Sequence, residues 1–387
     1  MNFGLNESQT TLKNTVRKFL AAECPPADVR KLIETENVFD ANLWKKMAEQ
    51  GWMGIIFPEE FGGFGMGAVE LAAVLEEMGR ALLPGPYLST LTAGAVIHEA
   101  GDAAQKKRYL VAICSGEAKS TLALLEDKAS WDPSAVSMRA AAKSGQYALN
   151  GRKLFVSDAG VADFLVVAAR LEGEPALFVV PKGAAGMNIS AMSGMDLTRK
   201  LYEVTFENVM VAAEAMLASG QHAASALDRA LNIGTVAISA EMVGGMQRLL
   251  EITVEYAKTR KQFGKPIGSF QAVQHQCADM LVYTESSRSA AYFAAYSITE
   301  GTPDAAASVS VAKSYASEAY RECGNRAIQV HGGMGFTWEN DCHLYYRRAK
   351  ASELAFGDAL YHRERIAKLI VDAAKVRTEE AAAISVS

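Results

Sequence analysis

Four runs of apolar residues at helical spacing, over residues 231–258, 270–300, 305–330 and 343–374, close this chain and rule out most of the folds open to it. Helices of that length joined by short connections predict a bundle. Alanine, methionine and leucine fill the facing positions, which suits packing of the bundle against copies of itself.

Upstream the hydrophobic period changes. Short runs with β-branched or aromatic content at 120–125, 146–149, 153–157, 164–168, 176–180 and 201–206 alternate with turn residues and predict a small antiparallel β domain. Between the second and third, Asn150-Gly151 reads as a type I′ hairpin turn, because both residues tolerate positive φ. Before residue 118 helical spacing returns: Asn6 is placed to cap a helix carrying Leu12, Val16, Phe19 and Leu20, and a second runs through Leu43, Met47 and Trp52. Gly62-Gly63-Phe64-Gly65-Met66-Gly67 lacks the preceding strand and the spacing of a dinucleotide fingerprint, so it reads as a loop. The expected class is α+β, with an N-terminal helical domain over 1–118, a middle antiparallel β domain over 119–221 and a C-terminal four-helix bundle over 222–387.

Composition narrows the function. A net charge of −5 gives no basic face for nucleic acid. Five cysteines without Cys-x-x-Cys spacing fit a reducing compartment and argue against zinc. No stretch of 18 apolar residues predicts membrane insertion, and the first residues lack the order of a signal peptide, so the expected location is cytoplasmic.

Two segments of the last zone carry a more specific signal: Arg260-Lys261-Gln262-Phe263-Gly264-Lys265-Pro266-Ile267-Gly268-Ser269-Phe270-Gln271-Ala272-Val273-Gln274-His275, and Gln329-Val330-His331-Gly332-Gly333-Met334-Gly335-Phe336 followed by Arg347-Arg348. They resemble the signature segments of the acyl-CoA dehydrogenase family, and the order of the three zones extends that resemblance over nearly the whole chain. The resemblance implies FAD, an acyl-CoA substrate and electron-transfer flavoprotein as acceptor. In the family, FAD lies between the β domain of one subunit and the C-terminal helices of its partner. Arg260 then offers a forked pair of donors to the pyrophosphate. Phe263 and Ile267 would pack on the adenine side, with Gln271 in the next helical turn, while Gln329, Gly332 and Gly333 bring bare backbone close to the cofactor.

All of those residues belong to the half-site that a subunit contributes to its neighbour. The half it keeps for its own FAD departs from the family pattern. Where the family has Thr-Glu-Pro-x-x-Gly-Ser-Asp, this chain has Leu125-Glu126-Asp127-Lys128-Ala129-Ser130-Trp131-Asp132. Phe155-Val156-Ser157 replaces the family's Trp-Ile-Thr beside the flavin ring, with Ser157 still able to donate there. The family's catalytic carboxylate removes the α-proton of the thioester as the β-hydrogen leaves as hydride, and a base must lie within reach of that proton. Its position here is Phe356, and the alternative position on the first long helix of the bundle is Gly234. Asp358 and Glu353 are the neighbouring carboxylates, with a helix cap and a solvated helix face as their simpler roles, and His362 reads as a surface helix residue. Leu83-Pro84-Gly85-Pro86-Tyr87 breaks a helix near where the family admits its acyl chain.

Losses confined to one half-site imply a hetero-oligomer of α2β2 type, resembling the two-gene acyl-CoA dehydrogenases of bacterial steroid and aromatic-acid catabolism, in which a homologous subunit supplies the glutamate. Two alternatives stand beside it: a homotetrameric dehydrogenase with an unconventional base, and a flavin-dependent oxygenase or oxidase, or a CoA-ester-binding protein, on the same fold.

Overall fold

The structure, a computed structural model, describes the backbone of residues 4–384 and the side chains of residues 4–371. Asn6 begins the N-terminal domain with a reciprocal cap: its Oδ1 accepts from the Gln9 amide at 2.8 Å, and Gln9 Oε1 accepts from the Asn6 amide at 2.9 Å. The helix so started, α1 (Glu7–Glu23), is followed by α2 (Pro26–Ile33), α3 (Ala41–Glu49), α4 (Ala68–Arg80), α5 (Tyr87–Ala100) and α6 (Ala103–Cys114). Residues 62–67 form a loop, and the non-helical segment 81–86 separates α4 from α5.

The middle domain is an eight-stranded sheet of β1 (Ser120–Ala123), β2 (Arg139–Lys143), β3 (Gln146–Ser157), β4 (Phe164–Leu171), β5 (Glu174–Pro181), β6 (Met187–Met192), β7 (Leu201–Ala212) and β8 (Met216–Ser219). Its order is β6-β7-β3-β2-β4-β5-β8, with β1 also on β4. Two sequence expectations are corrected here. The sheet is mixed, because β1 and β2 both pair parallel to β4. Asn150-Gly151 is no hairpin turn either; it is a bulge inside β3, where the register against β7 shifts between Leu149 and Gly151. Gly151 takes φ 141°, and the Asn150 side-chain oxygen accepts from the Asn208 amide of β7 at 2.8 Å. The actual turn of the β2–β3 hairpin is Ser144-Gly145, both at positive φ. Strand β4 is buried on both faces: Leu165, Val167 and Ala169 join the core of the sheet, and Phe164, Val166 and Ala168 join the core shared with the helices.

The C-terminal domain contains α7 (Gly220–Thr259), α8 (Gln271–Glu300), α9 (Ala305–His331), α10 (Cys342–Leu354) and α11 (Ala359–Ile384). The single helix expected over 343–374 is therefore two, broken at residues 355–358, where Phe356 (φ 59°) and Gly357 (φ 98°) leave the helical region and Asp358 starts α11. Helices α4 and α7 meet backbone to backbone: a Cβ on Gly244 would lie 1.7 Å from the Glu76 carbonyl oxygen, and one on Gly79 would lie 1.9 Å from that of Glu241. Among the described residues no helix is long and apolar enough to cross a membrane, and no group of three or more His, Cys, Asp or Glu is placed to hold a metal ion.

Where the three domains converge, Arg348 of α10 is 2% exposed. Its Nε donates to Asp196 Oδ2 at 2.5 Å, Nη1 to Glu241 Oε1 at 2.6 Å, and Nη2 to Thr198 Oγ1 and to the Leu83 carbonyl. Arg199 adds a second guanidinium to Glu241. Replacing Arg348 with Met would leave buried Asp196 without its guanidinium and Glu241 with Arg199 alone. We expect Arg348→Met to lower unfolding free energy by about 3–5 kcal/mol, measured by urea denaturation; a loss below about 1 kcal/mol would show that the network is not stabilising.

Candidate functional site

Helices α7, α8 and α9 run alternately up and down the bundle, so the end of α7, the start of α8 and the end of α9 share one end of it. Tyr256 fastens two of these together: its ring stacks on His331 at 4.3 Å, and its hydroxyl donates to the His331 carbonyl at 3.4 Å. Arg260 follows the last turn of α7, and its carbonyl accepts from the Ile267 amide at 2.8 Å, closing the connecting loop. Its guanidinium is exposed and has no ion-pair or hydrogen-bond partner among the described residues. Phe263, at φ 53°, is 91% exposed and meets Phe270 edge-on at 6.1 Å. Ile267 is half-buried, and Gln271 is exposed in the first turn of α8. Gln329 is exposed two residues before the end of α9. Nothing lies within 4 Å of where a Cβ on Gly332 or Gly333 would stand. Met334, Phe336 and Trp338 are exposed beyond them. No role was assigned to these three from sequence, although two of them lie within the quoted motif and Trp338 just past it.

The other side of the subunit is built differently. Glu126 accepts from the Ser137 and Met138 amides, each at 2.9 Å, and from Lys153 Nζ at 2.7 Å. Burial alone would raise this carboxyl, but the bonds from Lys153, Ser137 and Met138 hold it below its usual range. Burial pushes the Lys153 ammonium down to about 8, against the pull of Glu126. Glu126 is thus fully engaged in shaping the loop. Next in that loop, Trp131 stacks on Phe356 at 4.9 Å, and its indole N–H donates to the Leu354 carbonyl at 3.1 Å. The Phe356 ring lies against α7 at Gly234, 2.4 Å from where a Cβ on that glycine would stand. Three departures far apart in sequence, Trp131, Gly234 and Phe356, are therefore one packing unit.

Both carboxylates near Phe356 have local partners. Asp358 Oδ1 accepts from the Tyr361 amide at 2.8 Å as the cap of α11. Glu353 pairs with Arg321 and lies 3.8 Å from Lys350. Ser157 ends β3 opposite Leu201 and is half-buried. Leu125 is buried, and Phe155 is exposed at φ 53°. His362, read from sequence as a surface residue, is buried instead, because the break at 355–358 turns α11 so that its ring meets the Phe356 carbonyl at 2.9 Å.

Comparison with known proteins agrees with this architecture. Acyl-CoA dehydrogenase N-terminal, middle and C-terminal domains match residues 6–117, 121–209 and 224–371. The chain is 33% identical over 382 residues to the acryloyl-CoA reductase (NADH) of Anaerotignum propionicum, covering 96% of both. It is similar to a chain of the ChsE4-ChsE5 complex from Mycobacterium tuberculosis, with TM-score 0.88 and 30% identity over 96% of this chain and 99% of that one. It is also similar to PigA in its FAD complex, with TM-score 0.89 and 26% identity over 96% and 99%. The chain belongs to the acyl-CoA dehydrogenase family, FAD-dependent oxidoreductases acting on CH–CH bonds.

Two expectations follow from the geometry. Gly234→Ala overpacks against Phe356 and should cost about 1–3 kcal/mol; in a double-mutant cycle by urea denaturation, much of that cost should disappear in a Phe356→Ala background, and strict additivity would contradict the contact. His98, His331, His343 and His362 are all held below the usual imidazole range, mainly by burial, with His362 at about 3. Unfolding releases them to take up protons below about pH 6.5. Stability should therefore be fully present above that pH and decline steadily from about pH 6.5 to 5, before most carboxylates titrate; a flat profile in that window would be the contrary result.

Proposed function

We propose that this chain is the subunit of a hetero-oligomeric acyl-CoA dehydrogenase that completes the FAD site of a homologous, glutamate-bearing partner. One observation carries the reading: Trp131, Phe356 and Gly234 pack together as one unit, while Arg260, Phe263, Gln271, Gln329, Gly332 and Gly333 stand open at the end of the bundle. The two half-sites fit the cofactor differently. The end of the bundle offers a free guanidinium and bare backbone, which suit a pyrophosphate. The loop at 125–132 has Leu125 and Trp131 where the family has hydroxyl donors, its Glu126 is engaged, and Trp131 is packed on Phe356, which leaves the exposed Lys128 as its cation.

FAD bound at the partner's site would supply the hydride acceptor for α,β-dehydrogenation of an acyl-CoA thioester. This chain's residues bind and orient. Arg260 would hold the pyrophosphate, Gly332 and Gly333 would allow close approach, and Phe263 with Ile267 would exclude water from the adenine side. Abstraction of the α-proton falls to a carboxylate on the partner. The likeness to a chain of a two-protein complex, ChsE4-ChsE5, supports a two-chain assembly.

Co-expression with a homologous glutamate-bearing chain should give a yellow complex holding two flavins per α2β2 unit, whereas this chain alone should be colourless. Flavin bound stoichiometrically to the isolated chain would overturn the reading. Within the complex, Arg260→Ala should weaken flavin retention by about tenfold or more, measured by absorbance after gel filtration, and unchanged retention would also count against it. Phe356→Glu alone should restore no acyl-CoA oxidation, because Leu125 and Trp131 remain.

A further inference from the structure

A buried carboxyl sits where the N-terminal and middle domains meet, and the proposed function does not use it. Asp158 follows the end of β3 and is 3% exposed. Its backbone is fixed on both sides: the amide donates to the Lys200 carbonyl at 2.9 Å, and the carbonyl accepts from the Val161 amide at 3.0 Å. Its φ of 56° lies in the left-handed region that aspartate tolerates. Of its two carboxyl oxygens, Oδ2 lies 2.7 Å from the hydroxyl of Ser89 in α5, and Oδ1 is buried without a partner among the described residues.

Two counts bear on the charge of this group. The first is of hydrogens. Ser89 Oγ is within reach of Asp158 Oδ2 and also, at 3.1 Å, of the Pro86 carbonyl. A hydroxyl has one hydrogen, and a carbonyl can only accept. Both contacts are hydrogen bonds when Asp158 carries the proton and donates to Ser89, which donates in turn to Pro86. The second count is of charges. Asp158 feels Arg199 and Asp196 before β7, Arg348 of α10 and the neutral Tyr202 of β7. With Glu241 of α7, the two guanidiniums already face two carboxylates. An ionised Asp158 would be a third and would leave a net negative charge in the interior, which is costly. Burial raises this carboxyl, against the Ser89 contact and the pull of Arg199 and Arg348.

We propose that Asp158 is a neutral carboxylic acid at neutral pH and acts through its proton as a clamp, joining the start of α5 to the turn after β3. The joint is pH-sensitive. Loss of the proton leaves one Ser89 hydrogen for two acceptors and an unbalanced charge at the seam between two domains.

Infrared difference spectroscopy on the isolated chain reads the proton directly. Protonated carboxyls absorb above the amide I band, and exposed carboxyls are ionised at about pH 7. A band in that region should disappear in Asp158→Asn, whose side chain is neutral and of the same shape; absence of the band, or its survival in the variant, would overturn the proposal. Should Asp158→Asn fail to fold, Ser89→Ala keeps the carboxyl but removes its acceptor and should move the band to higher frequency, and an unmoved band would be decisive against the clamp. Stability gives a second reading. A carboxyl raised in the folded state contributes most below its unfolded value, about 4, and that contribution is lost as pH rises. Between about pH 5 and 7 the folding constant of the wild-type chain should therefore fall about tenfold per pH unit relative to that of Asp158→Asn, measured by urea denaturation. Parallel profiles would show an ionised Asp158. Histidines titrating in this window are common to both proteins and cancel in the comparison, and no flavin or partner enters either measurement.

Discussion

The buried guanidinium of Arg348 is the point on which the domain arrangement depends. It takes acceptors from all three domains: the Leu83 carbonyl before α5, Asp196 and Thr198 beside the sheet, and Glu241 in the middle of α7. Removing a guanidinium from water is costly unless its donors are matched, and here two carboxylates, a hydroxyl and a carbonyl match them. Apolar contacts would hold the domains together without fixing their angles. A planar, forked cation fixes direction as well, and so sets where α10 ends. That end is Leu354, one residue short of the break that aims Phe356.

Much of this architecture was legible in the sequence, and the failures share a cause. The long helices declare themselves through periodicity, which is a local property, and the segments around Arg260 and Gln329 are long enough to specify a family. Asn150-Gly151 misled because positive φ is needed by a bulge as much as by a turn, and only pairing with β7 distinguishes them. The parallel contacts of β1 and β2 with β4 are likewise set by partners distant in sequence. His362 looked exposed because its burial depends on a helix break that apolar spacing alone hides. Gly357-Asp358 was the available signal, a helix stop followed by a start.

At the site, the sequence marked Phe356, Gly234 and Trp131 as separate departures from a pattern. Their meeting was not legible, since it joins a loop of the β domain, the middle of α7 and the gap between α10 and α11. Stacking and burial of two aromatic rings contribute stability on the order of 2–4 kcal/mol. That is enough to offset the strained backbone at Phe356. The ring at 356 thus serves as packing that joins the three segments.

The contact between Gly234 and Phe356 also gives the chain's history a direction. Both places where the family keeps its glutamate open onto the same small volume, which one phenyl ring fills. A carboxylate restored at 234 would collide with that ring, and one restored at 356 would unstack Trp131 and still face a loop without hydroxyl donors. Each single change therefore disturbs a packed contact. Steric coupling of this kind acts as a ratchet: with the ring settled against the glycine, neither position can change without disturbing the other.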